Sequence, residues 1–598
     1  MNKMRIILMI LLLAQTTFGT IRYVSKTGSS TPPYISWETA SDSIQKCLNI
    51  CVDGDTVIVA NGIYKESLII NAAITFIGSS MDSCVIDGRN LTRTTIEIFR
   101  DTNISGFNIF GKGIEESPYQ TTIISRTPLT SNYSIRNCVI SNGYNGLYFG
   151  RSSGFISNSV IKNVYRAIFS FCMSDTCKPK LNNSIVFISK KGIAAWYTGD
   201  GGQPTITNNI LVTEGDYPIS NSAASGIIYA YSAHKNIVVR NNLISGFNFN
   251  TVGTVSDTAK VINNVFREKQ RSNATLYSTL WGVSNEDKVL NNIFMKNYNT
   301  INAVTQPTMD YNLFWENVEN INAPYQLGIN DIIADPMIVK DTLGYTLKGD
   351  YHLQMYSPGI DAGDSSILDI DGSRSDIGMF GGPLGQSYQY LDLPPNPPRN
   401  IRYTANINEK KIIFTWKKNS ESDFKEYHVF RDTVQGFTPD SAHLYLILPD
   451  STLGDTAQFI DTYSGENAKY YYRIIARDNQ GNESSPSDEI SVIITGIDIM
   501  DVEIATDYRL YQNYPNPFNP NTVIGYQLAV GSYVKVMVYD IKGEMLEVLV
   551  NENKPAGYYE VEFNAGKYAS GIYLYRIEVI GEGSIPRFMD MKKMMLVK

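Results

Sequence analysis

Arg136-Asn137-Cys138-Val139-Ile140, Ser157-Asn158-Ser159-Val160-Ile161 and Asn182-Asn183-Ser184-Ile185-Val186 share one pattern, an asparagine followed by β-branched residues. It returns as Asn208-Asn209-Ile210-Leu211-Val212, Asn241-Asn242-Leu243-Ile244, Asn263-Asn264-Val265-Phe266, Asn291-Asn292-Ile293-Phe294 and Tyr311-Asn312-Leu313-Phe314. With Asn137, Asn158, Asn183, Asn209, Asn242, Asn264, Asn292 and Asn312 as markers, the intervals are 21, 25, 26, 33, 22, 28 and 20 residues. Such a drifting period is that of a solenoid. Ten residues after five of the markers come Leu147, Ile168, Ile193, Ile219 and Val252, one apolar side chain per coil. The stretch after each marker should therefore be fixed in length, with insertions later in the coil. Inward side chains must stay aligned to bury a continuous core, while outward loops are free to vary. Asparagine suits the bend because it tolerates left-handed backbone geometry, and stacked amides can bond the copies above and below.

Working outward, the 598-residue chain is too long for one core. Its 39 Tyr and 45 Gly suit strands and turns. A net charge of -8 argues against a nucleic-acid binder, and four His argue against a multi-histidine metal site. Lys3 and Arg5 precede an apolar run from Ile6 to Ala14, with Thr17-Phe18-Gly19 as the cleavage region. The run is too short to span a bilayer, so residues 1–19 read as a signal peptide. No later stretch reads as a transmembrane span. The six Cys all precede residue 178, and an even count in an exported chain permits disulfides. Cys172 and Cys177 frame a loop that a disulfide could close. Cys47 and Cys51 lie four apart on an expected helix face, with Cys84 nearby in sequence. Cys138 reads as a buried apolar residue.

At these residues the chain resembles the right-handed parallel β-helix superfamily of pectate-lyase-like proteins. The resemblance implies an all-β fold, with a β-helix over residues 20–390 followed by two small β-sandwich domains. A helix around Trp37 to Asn49 is expected to cap the first coil. Gly349-Asp350-Tyr351-His352-Leu353, Ser357 to Asp364 and Asp371 to Gly378 resemble the family's C-terminal end. At ~4.8 Å per coil, about a dozen coils would make a rod on the order of 60 Å.

Pro394-Pro395-Asn396-Pro397-Pro398 lies in a stiff linker, residues 391–398. Ile412 to Trp416, Tyr427 to Arg431 and Tyr470 to Ala476 alternate as sandwich strands do. Residues 399–496 resemble a fibronectin type III domain, which implies Trp416 in the core and Tyr470 as the corner tyrosine. Residues 506–598 resemble the type A C-terminal sorting domain of the type IX secretion system. The motifs are Tyr511-Gln512-Asn513-Tyr514-Pro515-Asn516-Pro517-Phe518-Asn519-Pro520, Val538 to Gly543, Ala569 to Tyr575 and the basic end from Lys592 to Lys598. That resemblance implies an outer-membrane translocon as partner and a secreted or outer-cell-surface destination.

In pectate-lyase-like folds ligands lie in a groove along one sheet. Here the strand ten residues past each marker is the expected floor. Candidate substrate-binding residues near it are Tyr148, Arg151, Arg166, Lys191, Trp196, Tyr197, Asp200 and His234. Arg166 and Lys191, each eight residues past a marker, should stack on adjacent coils. Between Asn137 and Asn250 there are nine Lys or Arg against four acids, an excess that favours an anionic polysaccharide. Catalytic residues are not assigned. Hydrolysis needs two carboxyls across the bond, and lyase chemistry needs a base beside a neutralised carboxylate. Neither set is evident, so polysaccharide lyase and glycoside hydrolase remain the classes to weigh if the chain is an enzyme. No metal or cofactor is assigned. Asp369-Ile370-Asp371-Gly372 has a calcium-loop flavour without its closing Glu, and the five acids from Asp361 to Asp376 are expected to cap turns and pair with Arg374. The reading is a monomeric surface protein that binds or processes extracellular polysaccharide. Its alternative is a non-catalytic adhesin or structural rod.

Overall fold

The computed structural model describes residues 19–113, 121–126, 132–149, 153–170, 178–188, 194–198, 204–213, 228–230, 237–246, 252–254, 259–268, 278–341, 349–406, 409–463, 469–493, 508–513, 515–555, 557–580 and 586–597. It divides into two compact units, Met1–Asp392 and Leu393–Lys598.

The first unit is a right-handed β-helix of three parallel ladders. Ladder one stacks twelve strands, from Ile21–Val24 to Thr308–Asp310. Ladder two runs from Gly62–Tyr64 to Ile332–Ile333, and ladder three from Leu68–Ile70 to Glu319–Ile321. In two coils the second and third strands run together, as Val139–Phe149 and Val160–Ser170. Asn137, Asn158, Asn183, Asn208, Asn241, Asn263 and Asn291, with Tyr311, turn the chain from ladder one to ladder two in left-handed geometry (φ 47 to 58°). Asparagine is the side chain other than glycine that adopts this conformation most readily.

The marker asparagines split into two columns. Asn137, Asn158 and Asn183 sit at the left-handed bend, whereas Asn209, Asn242, Asn264, Asn292 and Asn312 follow it and face inward. The second set forms a ladder. Asn209, Asn242, Asn264 and Asn292 each donate backbone N–H and side-chain Nδ2 to the Oδ1 of the next, at 2.9–3.0 Å. Asn312 donates the same pair to Asp331, at 2.7 and 3.0 Å. In the earlier coils Ser184 and Ser159 take the same position, at half the hydrogen-bonding capacity. All the amides point one way, and a carboxylate closes the acceptor end, where charge assistance is greatest.

The expected inward column also needs correction. Leu147 and Ile168 are fully buried and paired in register. The next partner is Trp196, thirteen residues after Asn183, then Ile228, nineteen after Asn209, then Val252. Ile193 and Ile219 are therefore not the aligned positions, and both lie outside the described residues. Insertions enter before the third strand as well as after it. Between Thr213 and Ile228, and between Glu268 and Leu280, lie the longest of the former kind.

Both ends of the stack are closed. The N-terminal helix is shorter than expected, Ile44–Leu48, and its three buried residues plug the first coil. Ser43 caps it, and the Glu66 carboxylate accepts from Ile44 and Gln45 N–H at 3.0 and 2.9 Å, which suits the positive end of a helix. At the other end Tyr325 and Leu327 pack against the core. The segment beyond runs back along the solenoid as a strap. Ile338, Tyr351, Leu353 and Ile377 pack with Leu243, Val265, Ile293 and Leu313, the outward residues of ladder two. Asn241 Nδ2 donates to Met379 and Gly381 carbonyls, Asn263 Nδ2 to the Asp376 carbonyl, and Asn291 Oδ1 accepts from Asp364 N–H. Arg267 and Lys296 hold Asp341 from the same face.

The second unit contains two antiparallel sandwiches. In the first, strands Arg402–Asn406, Lys411–Lys417 and Thr456–Thr462 face Leu444–Pro449, Phe424–Asp432, Lys469–Asp478 and Ile490–Ile493. Trp416 lies in the core, as expected. Tyr472 is fully buried, as is Tyr427, whereas Tyr470 is half-buried; the Tyr472 hydroxyl donates to the buried Asp461 carboxylate. Both lie on one strand face and pack against the same core, and Tyr470 is the more exposed because it sits at the start of the strand. In the second, strands Arg509–Leu510, Asn521–Leu528 and Gly557–Asn564 face Met545–Lys554, Ser532–Tyr539, Gly571–Ile580 and Pro586–Leu596. Its opening motif is stitched to the core. The Tyr575 hydroxyl accepts from Asn513 N–H and donates to the Tyr511 carbonyl, both at 2.8 Å.

Candidate functional site

Ladder three presents the expected floor. Its inward column includes Ile96, Ile123, Leu147 and Ile168, all buried. Because side chains alternate along a strand, each following residue belongs to the outer column. Tyr148 stands there, and register puts Phe169, Tyr197 and Tyr229 at the positions in line with it on the next three coils. Gly253 and Trp281 continue it. Tyr148 and Trp281 are both half-buried. At ~4.8 Å per coil, the four consecutive aromatic positions cover roughly 14 Å.

Sequence reasoning found Tyr148 and Tyr197 but missed Phe169, Tyr229 and Trp281. The signal was available, since each follows an inward residue directly. For Tyr229 and Trp281 a fixed ten-residue spacing hid it, because the register had moved; Phe169 directly follows the correctly placed Ile168. Trp196 takes the register position of Leu147 and Ile168, so the position in line with Tyr148 falls at Tyr197. Arg151, Lys191, Asp200 and His234 lie outside the described residues, as do Cys172 and Cys177.

Arg166 does not join this column. It pairs in register with Asn145 and Ala194, on the strand face of Ile168. Its guanidinium sits over Tyr144 and Tyr165, at 5.6 and 5.9 Å, and those two rings stack at 4.5 Å. Burial pushes the Tyr144 phenol up, with Arg166 opposing it. The coil partner of Arg166 being Ala194, Lys191 lies three residues off the expected stack, because the chain between the second and third strands is longer in that coil. On the outer column itself, Glu97 pairs with Arg126 at 2.9 Å. Elsewhere, Tyr133, Phe155, Lys178 and Lys180 line a shallow cavity of about 330 Å³ on ladder one.

The acids of the strap hold turns. Asp369 accepts from Asp376 and Gly382 N–H, Asp371 from Ser373, and Asp364 from Ser366. Arg374 reaches the carbonyls of Ala362 and Gly363 rather than a carboxylate. Burial pushes the Asp376 carboxyl up to about 6, against the Asp361 N–H and the Tyr390 hydroxyl.

Three ladders, a left-handed asparagine bend and two sandwiches define the class: an all-β protein with a parallel β-helix followed by two small antiparallel β-sandwiches. Residues 512–588 match the family described as the secretion system C-terminal sorting domain. The chain thus carries a type IX sorting tail, which marks it for secretion or the cell surface. No described helix is long and apolar enough to cross a membrane. No curated protein sequence matches the chain. Among solved structures, it is similar to pectate lyase Pel9A at 14% identity, covering 61% of this chain and 97% of that one, with a TM-score of 0.40. It is also similar to PfbA, a surface adhesin of Streptococcus pneumoniae, at 12% identity, 52% and 93% coverage and a TM-score of 0.31. A third likeness is to the FN1-FN3 domains of chicken CNTN1, at 12% identity, 36% and 72% coverage and a TM-score of 0.15.

Proposed function

We propose that the solenoid binds extracellular polysaccharide along the outer face of ladder three, and that residues 1–19 direct a monomeric chain into the export route that its sorting tail completes. The domain limits we assign are 20–390 for the β-helix, 391–398 for the linker, 399–496 for the fibronectin module and 506–598 for the sorting domain. The observation that carries the binding reading is the aromatic column Tyr148, Phe169, Tyr197 and Tyr229 in unbroken register. Aromatic rings offer flat apolar area with a polar edge, which suits the faces of sugar rings. The local excess of lysine and arginine supports an anionic polymer.

Binding is favoured over catalysis because the Arg166 guanidinium is already engaged over the Tyr144 and Tyr165 rings. An adhesin needs only the column, whereas a lyase needs a base beside the scissile unit. The test is retention of the full chain on a panel of neutral and uronate polymers. Replacing Tyr148 and Tyr229 by Ala should weaken retention roughly 3- to 10-fold per ring. Absorbance of unsaturated product, with and without calcium, separates processing from binding. Retention by no glycan would replace this reading with that of a structural rod.

A further inference from the structure

The N-terminal cap brings two thiols together. Cys47 is fully buried in the last turn of the helix Ile44–Leu48. Cys51 follows the C-cap residue Asn49 by two positions and is half-buried, and its Sγ donates to the Cys47 carbonyl at 3.2 Å. Arg22 lies beside Cys51 and is fixed by a buried ion pair with Asp55 at 2.9 Å. The other two described cysteines are elsewhere. Cys84 Sγ faces the Ala60 carbonyl at 3.4 Å, and Cys138 Sγ the Arg136 carbonyl at 3.2 Å.

We propose that Cys47 and Cys51 are joined as a disulfide during export, clamping the N-terminal cap of the solenoid. Past the C-cap, the Ile50 and Cys51 N–H groups bond back to the Cys47 and Leu48 carbonyls, both at 3.2 Å, so the chain stays wound and keeps the two cysteines within one turn of each other, the short separation a disulfide spans. Access and charge set the order of events. Cys51 is the thiol that an oxidant can reach. Contact with Cys47 and the Arg22 guanidinium favour its thiolate against burial, while the same contact and burial hold Cys47 protonated. The Cys51 thiolate attacks one sulfur of an exogenous protein disulfide, forming a mixed disulfide and releasing one thiolate. That thiolate takes the Cys47 proton. Cys47 then attacks Cys51 Sγ and displaces the second sulfur of the oxidant. Two thiols lose two electrons, and the oxidant leaves as a dithiol. The clamp acts where a solenoid opens first, at its terminal coil.

The proposal rests on the export reading, so the test uses full chain recovered outside the producing cells. Free thiols are alkylated in denaturant, without reductant. Trypsin, cutting after Lys46 and Lys65, leaves both cysteines in one peptide. The expected peptide is unalkylated and lighter by two hydrogen atoms, and it takes two alkyl groups only after reduction. Alkylation of both cysteines in the exported chain overturns the proposal, as does a bond from either to Cys84. Failure of the chain to leave the cell would count against the export reading, and oxidation of purified protein by oxidised glutathione then decides the clamp, with the same two outcomes. Amide exchange at Asn49, Ile50 and Cys51 should be about tenfold slower in the oxidised chain than in the reduced chain or a Cys51→Ser variant. Equal rates would remove the clamping role.

Discussion

Replacing Asn264 by Ala should open the solenoid locally. Asn264 is fully buried, and its Oδ1 accepts from both the N–H and the Nδ2 of Asn242. Its own Nδ2 donates to the Val239 and Ile262 carbonyls and to Asn292 Oδ1. Alanine leaves the Asn242 N–H without an acceptor and the Val239 carbonyl without that donor. A stranded buried group costs about 1–3 kcal/mol, so the pair amounts to roughly 3–4 kcal/mol with the lost amide bond to Asn292. At 1.4 kcal/mol per decade, exchange of the Asn242 amide should accelerate by between two and three orders of magnitude. Native-state hydrogen exchange of the full chain reads this residue by residue. The control is Asn183→Gly, which keeps left-handed geometry and removes only an exposed amide bond to Asn158. It should shift neighbouring amides by no more than a few-fold. If the two variants behave alike, the ladder contributes nothing beyond the bend, and the reasoning fails.

Two further outcomes follow from buried carboxylates. The folded-state carboxyl of Asp376 is raised to about 6, above the ordinary value near 4, so folding favours its protonated form. Its stabilising contribution is complete below about pH 4 and lost as pH rises through 6, a difference of about 2–3 kcal/mol. Asp376→Asn should flatten that limb in the exchange of the Ile377 and Gly378 amides; an unchanged slope would show that another group titrates. In the first sandwich of the second unit, Asp461 takes two bonds from Arg431, at 2.9 and 2.8 Å, and one each from Tyr445 and Tyr472. Asp461→Ala should cost about 3–5 kcal/mol and lower the calorimetric transition of that module alone.

The solenoid was legible because its bends need one residue type, and that residue recurs. What it concealed was which asparagine did what. In Asn263-Asn264 the first turns the backbone and the second bonds its neighbours, yet both are the same letter. In Ser157-Asn158-Ser159 the bend residue stands alone, because serine fills the ladder. The aligned phase was right at Leu147 and Ile168, where the second and third strands run together, and again at Val252. It slipped at Asn183, where extra residues enter between them and Trp196 replaces Ile193 as the aligned position. Half of the candidate floor could be read from Tyr148 and Tyr197. Phe169, Tyr229 and Trp281 needed the register, which is a property of neighbouring coils and not of any one segment. The strap left no local trace at all. Its hydrogen bonds join residues up to 140 positions apart, so the turn motifs of residues 357–378 looked like an ending when they are a return.

That return sets the gauge of the molecule. Because Asn241, Asn263 and Asn291 each grip a fixed point between Asp364 and Gly381, the spacing of those coils is measured off against a second length of chain. A duplicated or deleted coil between Asn241 and Leu313 would leave the two out of step. Lengthening or shortening by whole coils is open only upstream, around Asn137 to Asn183, where nothing described runs alongside to keep count.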